Sequence, residues 1–72
     1  MTEAAEGTME WAKQILFERG LRNFAIATWR RDGRGWGAQV IRYVMVESPL
    51  YDTEDAALRA LVAAVEAGGK EP

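Results

Sequence analysis

The chain has 72 residues, 49% of them hydrophobic, a formal net charge of -2, and neither Cys nor His. That length makes one domain, which buries only about 60% of the surface its unfolded chain exposes. The missing residue types exclude disulfide staples, thiolate chemistry, zinc-finger spacings and imidazole acid–base catalysis together.

Residues 1–7 are acidic and lack a cationic segment followed by an apolar run, so they read as a flexible N-terminus and not as a signal peptide. Residues 68–72 (Gly-Gly-Lys-Glu-Pro) read as a flexible tail, and the domain proper spans 8–67. No apolar run reaches the 18 or so residues of a membrane span. Together with the lack of Cys this gives a cytoplasmic setting as the expectation.

The first helix is predicted from an N-cap at Thr8 to Arg19, with Glu10 in the first turn, where the helix dipole favours an anion. Gly20 and Leu21 follow as the residues that end it. Met9, Trp11, Ala12, Ile15 and Leu16 share one side of the helical wheel, and Phe17 lies outside that stripe. Phe17 either packs near the helix end or stands exposed as an anchor.

Two strands follow, Asn23 to Trp29 and Trp36 to Val46, joined through Arg30-Arg31-Asp32-Gly33-Arg34-Gly35. Asp32-Gly33 as a type I′ turn is the simplest connection. It sets Trp29 opposite Trp36, Ala27 opposite Ala38 and Ala25 opposite Val40. Those residues, with Val44 and Val46, then form a small, flat face suited to receive helices. The other face carries Phe24, Ile26, Thr28, Arg30, Gln39, Ile41, Tyr43, Met45 and Glu47. A three-residue loop with a bulge at Gly35 is the alternative, and it exchanges one strand's side chains between faces. Val44 to Glu47 outrun the first strand and leave an open edge.

Residues 47–51 read as a loop, with Pro49 ending the strand. Asp52 or Thr53 caps the last helix, in which Leu58, Leu61, Val62 and Val65 recur at helical spacing before Gly68. The expected fold is a small α+β domain in the order helix, strand, strand, helix, with an antiparallel β-hairpin packed against two helices.

No catalytic constellation emerges. Asp52, Glu54 and Asp55 sit where a helix N-terminus favours acids anyway, Ser48 has no neighbouring base, and Tyr43 and Tyr51 read as packing residues. Gly33 to Gly37 lacks the Gly-Lys-Ser/Thr ending of a phosphate loop and opens no helix. The expectation is a non-enzymatic protein without metal, cofactor or small-molecule substrate.

Charge is segregated along the chain: -3 over residues 1–18, +5 over 19–42 and -4 over 43–72. Every basic residue of the middle segment is Arg, suited to bidentate contact with carboxylate or phosphate. The hairpin tip therefore nominates Arg30, Arg31, Arg34 and Trp36 as a partner-binding site for an acidic protein surface or another macromolecular complex. A homodimer is expected through the second face, by Phe24, Ile26, Ile41, Tyr43 and Met45. The functional expectation is a protein-binding module that regulates or inhibits a larger macromolecule, as small inhibitors from phages and mobile elements do. The alternative is a nucleic-acid-binding domain whose tip arginines touch phosphates; the acidic pI of about 5.0 speaks against it.

Overall fold

A computed structural model describes residues 4–41 and 43–68, with the backbone alone at 48 and 49. Residues 1–3, Arg42 and the tail from 69 lie outside the described residues. The elements are α1 (Met9–Glu18), β1 (Ile26–Arg31), β2 (Gly35–Val40), β3 (Val44–Tyr51) and α2 (Glu54–Glu66). They form the expected α+β domain, an antiparallel hairpin packed with two helices, and the sheet has a third strand in the order β1-β2-β3.

Both helices begin where a threonine hydroxyl can satisfy a free backbone N–H. Thr8 accepts from the Trp11 N–H at 3.2 Å and Thr53 from the Ala56 N–H at 3.0 Å. α1 ends in a Schellman motif: Leu21 N–H donates to the Leu16 carbonyl at 3.1 Å and Gly20 N–H to that of Phe17 at 3.0 Å. Gly20 takes a φ of 95° to close it.

Of the segment expected to be a flexible N-terminus, residues 4–7 are described, and Ala5 and Glu6 are exposed. Gly7 is buried against α2, with no room for a Cβ beside Asp55. Arg59 holds the segment down: its Nε donates to Asp55 at 2.7 Å and an Nη to the Glu6 carboxylate at 2.6 Å.

The first hairpin takes the three-residue loop, not the two-residue one. Arg31 pairs with Gly35, Trp29 with Gly37, Ala27 with Gln39 and Ile26 with Val40. A type I′ turn needs positive φ at both central residues. Asp32 keeps a negative φ, and the left-handed positions fall on Gly33 at 72° and Gly35 at 124°. The added loop residue shifts the pairing by one and turns β1 over relative to β2. The helix-side face therefore carries Ile26, Thr28 and Arg30 from β1, with Trp36, Ala38 and Val40 from β2. Ala27, Trp29 and Arg31 point away.

The segment read as one strand from Trp36 to Val46 is folded in two. Tyr43 N–H donates to the Val40 carbonyl at 2.9 Å, and β3 runs back along β2. Val44 to Val46 are thus paired with β2 on one side, and β3 forms that edge of the sheet. β3 continues through the predicted loop as far as Tyr51, with its register shifted between Trp36 and Ala38. The irregular stretch holds Pro49, which has no N–H to give a ladder.

The core lies between the helices and one face of the sheet. Ala12, Leu16, Ala38, Val40, Ala57, Leu58, Leu61, Val62 and Val65 are its buried members. Among the described residues, β2, flanked on both sides, supplies the sheet's buried positions, Gly37, Ala38 and Val40.

Candidate functional site

Both helices lie on one side of the sheet, so its outer face has no covering layer among the described residues. Strand alternation places Ala25, Ala27, Trp29 and Arg31 on that face, beside Gly37, Gln39 and Ile41, with Met45 and Glu47 from β3. The face is graded. Ile41 and Met45, 44% and 56% exposed, make an apolar end with Ala25. Arg31, Arg34, Glu47 and Leu50 line an open depression at the other.

Trp29 stands between the two ends, over Gly37. A Cβ built on Gly37 would lie 2.6, 2.7 and 2.8 Å from Cε2, Cζ2 and Nε1 of the indole. Near-equal distances to three adjacent ring atoms mean that the ring presents its face, not its edge, to the backbone. Glycine is required here for close approach alone, because no positive φ is involved.

Glu47 fixes the arrangement. Its Oε2 accepts from Trp29 Nε1 at 3.0 Å and from Arg31 Nε at 2.8 Å, and Arg31 Nη2 lies at 2.8 Å. The hydrogen bond from Arg31, followed by that from Trp29, holds the Glu47 carboxyl below its ordinary pKa. Trp29 and Arg31 are thus both oriented by one carboxylate. Arg34, at the tip, makes no ion pair among the described residues.

The residues nominated from sequence do not form one cluster. Arg31 and Arg34 line the same open depression. Arg30 and Trp36 are cross-strand neighbours on the helix side, where Trp36 packs against the core. Of the five residues nominated for dimerisation, Phe24, Ile26 and Tyr43 pack against the core, while Ile41 and Met45 stand exposed on the outer face and its turn. Phe17 is 55% exposed, with the Arg22 guanidinium 3.8 Å from its ring centroid.

Glu47, Gly37 and Leu50 were not nominated. Their signal is the three-residue loop: that register puts Trp29 over a glycine and on the same face as Glu47. Among the described residues no group of three or more His, Cys, Asp or Glu is placed to hold a metal ion, and no helix is long and apolar enough to cross a membrane.

No family model, no curated protein and no solved structure matches the chain.

Proposed function

We propose that this chain is a non-enzymatic protein-binding module that regulates or inhibits a larger macromolecule by occupying its surface, and that it works in the cytoplasm as a homodimer. The observation that carries the reading is the uncovered sheet face, on which Trp29 and Arg31 are pre-oriented by Glu47 between an apolar end and a cationic tip. Pre-orientation lowers the ordering cost of association, and Trp and Arg are the residue types that dominate interface energetics. The partner would offer an apolar patch to Ile41 and Met45, and a carboxylate to Arg34.

A second reading has one observation in its favour: an indole flat on the sheet, flanked by Arg31 and Arg34, has the form of a base-stacking platform. Glu47 in the middle of that surface and the net charge of -2 oppose a phosphate backbone.

The test is capture of a macromolecular partner by the immobilised full chain, repeated with Met45→Glu and Trp29→Ala. Truncating a central anchor should cost roughly 2 kcal/mol or more of binding, about thirtyfold. Equal capture by wild type and both variants would remove the outer face from the reading. Titration with labelled single- and double-stranded oligonucleotides at two salt concentrations addresses the alternative. Tight binding that weakens steeply with salt, and that Arg34→Ala flattens, would favour nucleic acid instead.

A further inference from the structure

The homodimer in the proposed function needs a surface, and the terminal strand β1 provides one. Ile41 N–H donates to the Ala25 carbonyl at 2.9 Å, and from that pair the register steps to Ala27 with Gln39, Trp29 with Gly37 and Arg31 with Gly35. In an antiparallel ladder, residues that bond to the neighbouring strand alternate with residues whose N–H and C=O point the other way. The backbone groups of Ile26, Thr28 and Arg30 therefore point out of the sheet. Among the described residues, no backbone hydrogen bond outside the sheet falls on any of the three.

The two edges differ. β3 is blunted by a register shift in the stretch that holds Pro49, a common protection against edge pairing. β1 runs without a shift from Ile26 to Arg31 and contains neither proline nor lysine.

Charge selects the occupant and its register. A twofold axis at Thr28 sets Thr28 opposite Thr28 of a second copy, and Ile26 opposite the second copy's Arg30. Each outward N–H and C=O of the three residues then has a partner. Thr28 Oγ1 donates to Glu54 Oε2 at 2.7 Å, which places a carboxylate over the middle of this edge on the helix side. Arg30 shares that face and makes no ion pair among the described residues. Across the axis it lies diagonal to Thr28, within reach of a long side chain. An axis at Arg30 would instead oppose two like charges.

We infer that the protein dimerises by antiparallel pairing of β1 with β1 of a second copy, with each Arg30 matched to Glu54 across the axis. The two sheets then become one, with both outer faces on the same side, so that a partner meets a doubled surface. This inference rests on the homodimer of the proposed function and leaves the outer face free.

The experiment is the mass of the full chain by light scattering coupled to size exclusion, over a concentration series, for wild type and variants. Wild type should approach twice 8.0 kDa. Thr28→Pro removes an outward N–H, and with it the hydroxyl that holds Glu54, without touching the bonds to β2, and should give a monomer with an unchanged circular dichroism spectrum. Arg30→Glu should weaken dimerisation about tenfold, equivalent to about 1.4 kcal/mol. Adding Glu54→Arg to Arg30→Glu should restore it, which a merely unfolded variant cannot do. A wild type that stays at monomer mass throughout overturns the dimer and its interface together, and leaves outer-face binding standing. A dimer insensitive to Arg30→Glu and to Thr28→Pro but dissociated by Met45→Glu overturns the edge alone.

Discussion

Gly37 and Glu47 show how much one side chain, or its absence, decides on an open sheet face. A methyl group at position 37 would lie inside the contact distance of the Trp29 ring. Gly37→Ala should therefore lift the indole, red-shift its fluorescence and cost roughly 1–3 kcal/mol of stability, read from the urea midpoint. Glu47 acts by charge. Its folded-state pKa lies below its unfolded value, so its contribution is complete above the ordinary carboxylate range and is lost as pH falls through the depressed folded value. Thermal melts from neutral to acid pH should show this loss in wild type. Glu47→Gln should lower stability at neutral pH and flatten that acid limb. An acid limb identical in the two proteins would mean that the carboxylate does not organise the site.

At the scale of elements, the helices follow local rules and the strands do not. Thr8, Thr53, Gly20 and the spacing of Leu58, Leu61, Val62 and Val65 mark helix bounds within a residue or two, because capping and amphipathic periodicity are written in neighbouring positions. Thr53→Ala should cost about 1 kcal/mol, seen as a lower melting temperature with unchanged helix content in the native baseline. The hairpins turn on finer matters. Two glycines in the tip serve equally well for a two- or three-residue loop on paper, and the structure uses both as positive-φ positions. Gly35 is the more constrained, since a Cβ there would also meet the Tyr51 carbonyl, whereas Gly33 has open space around it. Gly33→Ala should cost about 1–2 kcal/mol, and Gly35→Ala clearly more in the same denaturant titration. The turn between β2 and β3 carries no glycine or proline among Val40, Ile41, Arg42 and Tyr43. It left only one clue, a strand read as longer than the usual five or six residues.

For the whole molecule, the decisive feature is that α2, with α1 packed against it, covers one side of a three-stranded sheet. A domain of this length has a total stability of roughly 4–11 kcal/mol. Leu61 is fully buried in the single core, and Leu61→Ala should remove roughly 2–5 kcal/mol of that. A shift of the urea midpoint well below this range would mean that the site collapses around the deletion. With one side of the sheet occupied by the core, the other is left uncovered, and the segregated arginines acquire a direction: Arg31 and Arg34 with Trp29 on the outer face, Arg30 toward the helix side and the β1 edge.

The amino-acid order alone determined the α+β class, the two helices with their caps and buried stripes, the presence of an Arg-tipped hairpin, and the exclusion of thiol and imidazole chemistry. Each of these depends on residues within a turn or two of one another, or on composition. Tertiary structure decided the register, the third strand, and which residues share a surface. Strand side chains alternate with a period of two, so both faces of β1 look equally buriable from within the strand, and one added loop residue exchanges them. The choice between the registers is made by contacts far apart in sequence: Ile26 joins the core beneath α2, and Trp29 finds Gly37 and Glu47 on the other side.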